Sequence, residues 1–202
     1  MNKNKFIKKM SILIIIAISI FGQLNAKDTN PSNWVENIGN LTLSILEDKK
    51  TSDTNKEIFL EQIFMDNLDI KRISLFILGP YRRNLDKKNS EEYFNTIKSF
   101  ISEVYAKRLL SFPAGKIQIT KNEDRGKRGT IIYSSIQFEN RPNPVSIDWW
   151  VISNKLGNYK VFDIRISGIW MAQEQRSTFT SFLSKNNGDI KILIKKLEQQ
   201  IG

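Results

Sequence analysis

Few residues in this chain are of types that carry covalent or proton-transfer chemistry. Its 202 residues include no histidine and no cysteine. Zinc fingers, histidine-assisted triads, thiolate nucleophiles and disulfide frameworks are therefore excluded. A metal site would need oxygen ligands alone, and a general base would have to be Asp, Glu, Lys or Tyr. The acids are scattered without a D-x-D-x-D calcium loop, and Glu91-Glu92 most simply serve the first turn of a helix. Neither G-x-x-x-x-G-K-S/T nor G-x-G-x-x-G occurs, so no phosphate-cradling glycine loop is present. Gly126-Lys127-Arg128-Gly129 reads as the solvated tip of a basic hairpin. Asp163 is the one acid set inside an apolar strand, with Arg165 and Arg176 as candidate mates. A structural ion pair is the simplest reading, because no second catalytic group accompanies it.

The elements that would position these residues begin after a leader. Residues 1–10 carry four lysines and no acid, Ile12 to Phe21 is almost wholly apolar, and Gly22-Gln23-Leu24-Asn25-Ala26 comes next. A basic start, an apolar stretch of about 7–15 residues and a small residue at the cut describe an export signal, expected to be cleaved after Ala26. The run is shorter than the roughly 20 residues of a spanning helix. Setting residues 1–26 aside lowers the formal net charge from +10 to +6. Export also removes the protein from most nucleic acid, so no nucleic-acid partner is expected. The rest, 27–202, has the length of one domain with a real core.

Apolar spacing predicts helices over Trp34–Glu47, from a cap at Thr54 through Ile63, and over Ile70–Leu78 from a cap at Asp69. Gly79-Pro80 stops the third. A longer helix after Asn89-Ser90 bears Phe94, Ile97, Ile101, Val104 and Tyr105, widened by Phe100 and Leu109. That stripe is broader than one packing partner requires. Four strands are expected at Lys116–Asn122, Thr130–Phe138, Val145–Ser153 and Tyr159–Ile166, joined by short turns. Alternation places Val145, Ile147, Trp149 and Val151 on one face of the third, and Phe162, Ile164 and Ile166 on one face of the fourth. Helices return over Ile169–Ser184 and Asp189–Gln200. The fold class is α+β: a curved antiparallel sheet of about four strands against a helical layer.

Large apolar residues abound in both layers, among them Trp149, Trp150, Trp170, Phe94, Phe100, Phe162, Phe179 and Phe182. They fit a filled core, and they equally fit an apolar cavity between sheet and helices that holds a greasy ligand.

The ordered motifs resemble a known family. Leu78-Gly79-Pro80-Tyr81-Arg82, followed by Phe94, Phe100, Tyr105 and Leu109, is similar to the pattern L-G-x-W/Y-R…F…F…Y…L. Val145 to Trp149 and Tyr159 to Ile164 are similar to its paired strands. Ile166-Ser167-Gly168-Ile169 and Gln175-Arg176-Ser177-Thr178-Phe179 match its turn and the helix after it. This is the MlaC, or toluene-tolerance, family of ABC-transporter auxiliary proteins, and the resemblance runs from about Trp34 to Leu197. Trp170 stands where the family usually has Ser, a bulk expected to reshape a pocket mouth.

The resemblance implies an MlaC-like, NTF2-like cone in the periplasm, with no cofactor and no enzymatic activity. It implies a monomer that buries two phospholipid acyl chains and leaves the headgroup near solvent. The expected partners are an inner-membrane ABC transporter substrate-binding component and an outer-membrane lipoprotein complex. The expected lipid lining comprises Leu75, Leu78 and Tyr81; then Phe94, Ile97, Phe100, Ile101, Val104, Tyr105 and Leu109. From the strand region it adds Ile147, Trp149, Val151, Phe162, Ile164, Ile166 and Ile169. Arg82, Arg83, Lys107 and Arg108 are placed either to screen a lipid phosphate or simply to solvate helix surfaces. Two other readings stay open at this level. One is an enzyme or binding protein for an isoprenoid- or hopanoid-type lipid using Asp163 or Tyr105; the other is a cargo-free adaptor.

Overall fold

The computed structural model describes residues 30–139, 141–154 and 157–201. The leader expected at 1–26 lies outside them. Asn30 opens the first helix, α1 (Pro31–Glu47): its side chain accepts from the Ser32 N–H at 2.9 Å. The helix thus starts three residues before the expected Trp34, with Pro31 in its first turn, as suits a proline with no N–H to satisfy. α2 (Asp53–Asn67) is capped by Ser52 and not Thr54, since the Ser52 hydroxyl accepts from the Asn55 N–H. α3 (Ile70–Ile77) starts at Asp69 as expected, with the Arg72 N–H donating to its carboxylate at 3.1 Å. Gly79 ends it at a φ of +57°, and Gly79–Asn84 winds as a 3-10 turn.

α4 (Lys87–Ser99) begins at Asp86, whose carboxylate accepts from Asn89, so Glu91 and Glu92 fall beyond its first turn. The helix then makes a π turn over Phe100–Val104 and resumes as α5 (Tyr105–Leu109). A π turn inserts one residue and swings the next helical segment by about 100° around the axis. The first half packs on α3 and on the last helix, whereas the π turn and α5 pack on α2. Two partners on two faces explain the broad apolar stripe.

Five strands form one antiparallel sheet in the order β1 (Gly115–Asp124), β2 (Thr130–Phe138), β3 (Val145–Ser153), β4 (Tyr159–Ile166) and β5 (Ile169–Trp170). The fold is α+β, and β2, β3 and β4 keep their expected bounds. The fifth strand is new. Ser167 and Gly168 both take positive φ, 48° and 89°, making a two-residue hairpin that pairs Ile169 with Ile166. Helix α6 (Met171–Lys185) therefore starts two residues later than Ile169, and α7 (Ile190–Glu198) closes the described chain.

Alternation along β3 sends Trp149 and Val151 to one face, where α1 lays Val35 and Leu43 against them and against Ile117, Ile132, Ile136 and Phe138. Trp150 and Ile152 point the other way, into the larger cluster built from α3, α4, α6 and α7. A bulge between β3 and β4 pairs Trp150 with Asp163 but Val151 with Val161, leaving Phe162 as the extra residue. Phe162 consequently joins Trp150 in the larger cluster, while Ile164 aligns with Trp149 and Ile166 with Ile147. The three do not share a face.

Candidate functional site

A cavity of about 540 Å³ opens where α3, the 3-10 turn, β4 and α6 converge. α3 supplies Arg72, Leu75 and Phe76; the turn supplies Gly79, Pro80, Arg82 and Arg83; Phe162 and Arg176 complete the lining. Its size lies within the roughly 300–1,000 Å³ usual for ligand pockets. β4 holds α3 in place because the Asp69 N–H donates to the Val161 carbonyl at 3.0 Å. The Tyr93 hydroxyl, wholly buried, ties α4 to α3 by donating to the Ser74 carbonyl at 2.7 Å.

The apolar wall is built edge to face, with the Phe76 and Phe162 rings 5.1 Å apart. Arg176 lies over Phe76, its guanidinium carbon 4.8 Å from the ring centre. A Cβ on Gly79 would sit 2.7 Å from the Thr180 methyl and 3.4 Å from Arg176 Nε, so only glycine lets the turn approach α6 this closely. Gly188 does the same beside Tyr81, and its carbonyl accepts from the Asn84 side chain at 2.9 Å. Arg72 is 3.4 Å from the Asp69 carboxylate. Arg82, Arg83 and Arg176 make no ion pair among the described residues.

Leu75 and Phe162 are the expected lining residues found at this cavity. Leu78, Ile97, Phe100 and Ile101 lie buried in the neighbouring cluster, with Tyr81, Phe94, Val104 and Tyr105 packed against it. Phe100 also borders a smaller pocket of about 170 Å³, beside Phe179, Phe182 and Lys196. Leu109 is half-buried at the end of α5. Ile147, Trp149 and Val151 pack on the α1 side of the sheet, Ile164 and Ile166 are half-buried, and Ile169 is exposed. Trp170 stacks near Trp150 at 5.9 Å and under Arg165, away from the cavity lining. Lys107 reaches toward Glu57, and Arg108 sits over the Tyr105 ring. Sequence reasoning misses Arg72, Phe76, Gly79, Pro80 and Arg176 as lining. The spacing of 72, 75, 76 and 79 marks one helix face and is the signal that points to them.

Asp163 is buried, but it makes no ion pair among the described residues. Its Oδ1 accepts from the Ala172 N–H at 2.7 Å and the Ile164 N–H at 2.8 Å, while Oδ2 has no partner. Arg165 pairs instead with Asp148, at 2.5 Å through Nη2 and 2.6 Å through Nε, and Arg176 is taken up by Phe76. Asp163 thus serves the start of α6, where free N–H groups favour an acceptor. Burial pushes its pKa up to about 6, against the opposing pull of backbone N–H groups led by Ala172 and Ile164. Burial likewise raises the Tyr105 phenol, with Arg108 opposing and Asp163 adding to the rise. No hydrogen bond joins Tyr105 to Asp163 among the described residues. Nor do the described residues contain a cluster of three or more acids able to hold a metal ion, or a helix long and apolar enough to cross a membrane.

Three comparisons relate the chain to known proteins. The family profile described as "MlaC protein" matches residues 36–199. The chain is 29% identical over 125 residues to the intermembrane phospholipid transport system binding protein MlaC of Haemophilus influenzae, covering 61% of this chain and 58% of that relative's length. Its fold is similar to that of the phospholipid-binding protein from Ralstonia solanacearum, solved in complex with a phospholipid. The TM-score is 0.69 at 19% identity, covering 83% of this chain and 94% of that one.

Proposed function

Because the chain belongs to the MlaC family, we propose that it is a periplasmic phospholipid carrier whose cargo enters the cavity between α3 and α6. The observation that carries this reading is the cavity itself: an apolar wall of Leu75, Phe76 and Phe162 beneath a rim of guanidinium groups. Acyl chains fit such a wall and a phosphate fits such a rim.

The energetics set what a carrier must do. Each acyl CH₂ left in water costs about 0.8 kcal/mol, so two long chains cost tens of kcal/mol outside a membrane. Burying most of those carbons is the whole task, and it needs no covalent step. The carrier is therefore not an enzyme. Residues 1–26 act as a cleaved export signal and 27–202 as a single, monomeric lipid-binding domain. Lipid passes between an outer-membrane lipoprotein complex and the substrate-binding component of an inner-membrane ABC transporter. With no nucleotide motif in the chain, directionality comes from those partners.

Leu75 lines the cavity and Leu41 is 53% exposed on α1, so the pair tests the location. Leu75→Glu should lower bound phospholipid several-fold in solvent extracts of the purified protein, with Leu41→Glu at the wild-type level. Equal lipid in the two variants would place the cargo elsewhere.

A further inference from the structure

We propose that the cavity rim selects lipids by headgroup charge, favouring a phosphate that has no ammonium group beside it, such as a phosphoglycerol, over a zwitterionic headgroup. The proposal rests on the carrier reading and adds to it a substrate class. Lysines outnumber arginines 22 to nine in this chain, yet four arginines and no lysine line the cavity. That bias matters because guanidinium presents a planar fork matched to two phosphate oxygens, which an ammonium cannot do.

The four come from three separate elements and converge: Arg72 from α3, Arg82 and Arg83 from the 3-10 turn, and Arg176 from α6. No acid lines the cavity with them. Asp69 offsets part of the Arg72 charge, and the other three have no carboxylate partner among the described residues. Gly79 lets the turn approach α6 closely enough to set Arg176 beside the others, over the Phe76 face.

A phosphodiester brings one negative charge, which one or two guanidinium groups satisfy. The remaining positive charge then decides between headgroups. A neutral polyol beside the phosphate meets no penalty there and can donate or accept hydrogen bonds. An ammonium a few ångströms from the phosphate is repelled by the guanidinium groups left over. At the partly screened dielectric of a surface cavity, the repulsion corresponds to roughly a tenfold preference. Because Arg72, Arg82 and Arg83 are exposed, salt should erode that preference.

The test exchanges the exported protein against vesicles equimolar in dioleoyl-phosphatidylglycerol and dioleoyl-phosphatidylethanolamine, then measures both lipids in the protein fraction by mass spectrometry. The expected bound ratio is about tenfold above the vesicle ratio at 50 mM salt, falling toward one at 500 mM. In Arg82→Gln/Arg83→Gln the ratio should fall toward one at low salt, and a ratio still near the wild-type value would overturn the assignment to these arginines. A wild-type ratio near one overturns the selectivity and leaves the carrier reading standing; absence of both lipids overturns both. A free-anion site is distinguished by titrating lipid-free protein with inorganic phosphate alone. A rise in Tm equal to that given by phosphatidylglycerol would assign the arginines to free phosphate and overturn the proposal.

Discussion

A carboxylate at Asp163 weakens the fold more at neutral pH than at pH 4. Its folded-state pKa, about 6, lies above the ordinary 3.8, so between those values the native chain binds more protons than the unfolded one. Stability therefore declines as pH rises through that window and stays lower above it. The loss between pH 4 and pH 7 is on the order of 2 kcal/mol, from a shift of about two pKa units. Asp163→Asn keeps an Oδ1 acceptor for Ala172 and Ile164 but does not titrate. Urea unfolding at several pH values should show the variant's curve flatter than the wild type's by about that amount. Parallel curves would mean that Asp163 is not buried at the α6 start. The sequence marks this residue correctly as an acid in an apolar strand. Its partner is not legible there, because backbone N–H groups at a helix start leave no signature that tells them from a nearby arginine.

Gly79 shows how much one turn controls at the scale of elements. It holds φ at +57° and gives α6 the space occupied by the Thr180 methyl and Arg176. Gly79→Ala should cost about 1–2 kcal/mol for the left-handed backbone alone. For a chain of this size that is a fall in Tm of roughly 3–6 °C in a thermal melt, and no measurable fall would contradict the tight approach. The bounds of β2, β3 and β4 are legible because period-two alternation bracketed by turn residues is a strong local signal. Three features are not. The π turn at Phe100–Val104 leaves the i, i+3, i+4 pattern merely broadened, and the broadening resembles a wide apolar face. The bulge at Phe162 reverses which face the side chain takes without altering the apolar sequence around it. Ile169-Trp170 is too short a strand to show a period, and the positive φ of Ser167 is rare for a residue other than glycine.

For the whole molecule, these local features decide where the open volume lies. Apart from Leu75, Leu78, Tyr81 and Ile169, the expected lining runs from α4 through α5 and along β3 and β4, since apolar periodicity reports burial without separating core from cavity. In the folded chain most of those side chains pack on each other, and the open volume lies between α3, the 3-10 turn and α6. The bulge delivers Phe162 there, and the glycine turn delivers Arg82, Arg83 and Arg176. The proposed cargo of this volume is phospholipid. The most direct measurement is the organic-extractable phosphorus per mole of folded protein, purified from the exported fraction and again after exchange with phospholipid vesicles. About one phospholipid per chain is expected, retained through gel filtration and lost on denaturation. Folded, monomeric protein that holds no extractable phosphorus after both treatments would contradict it.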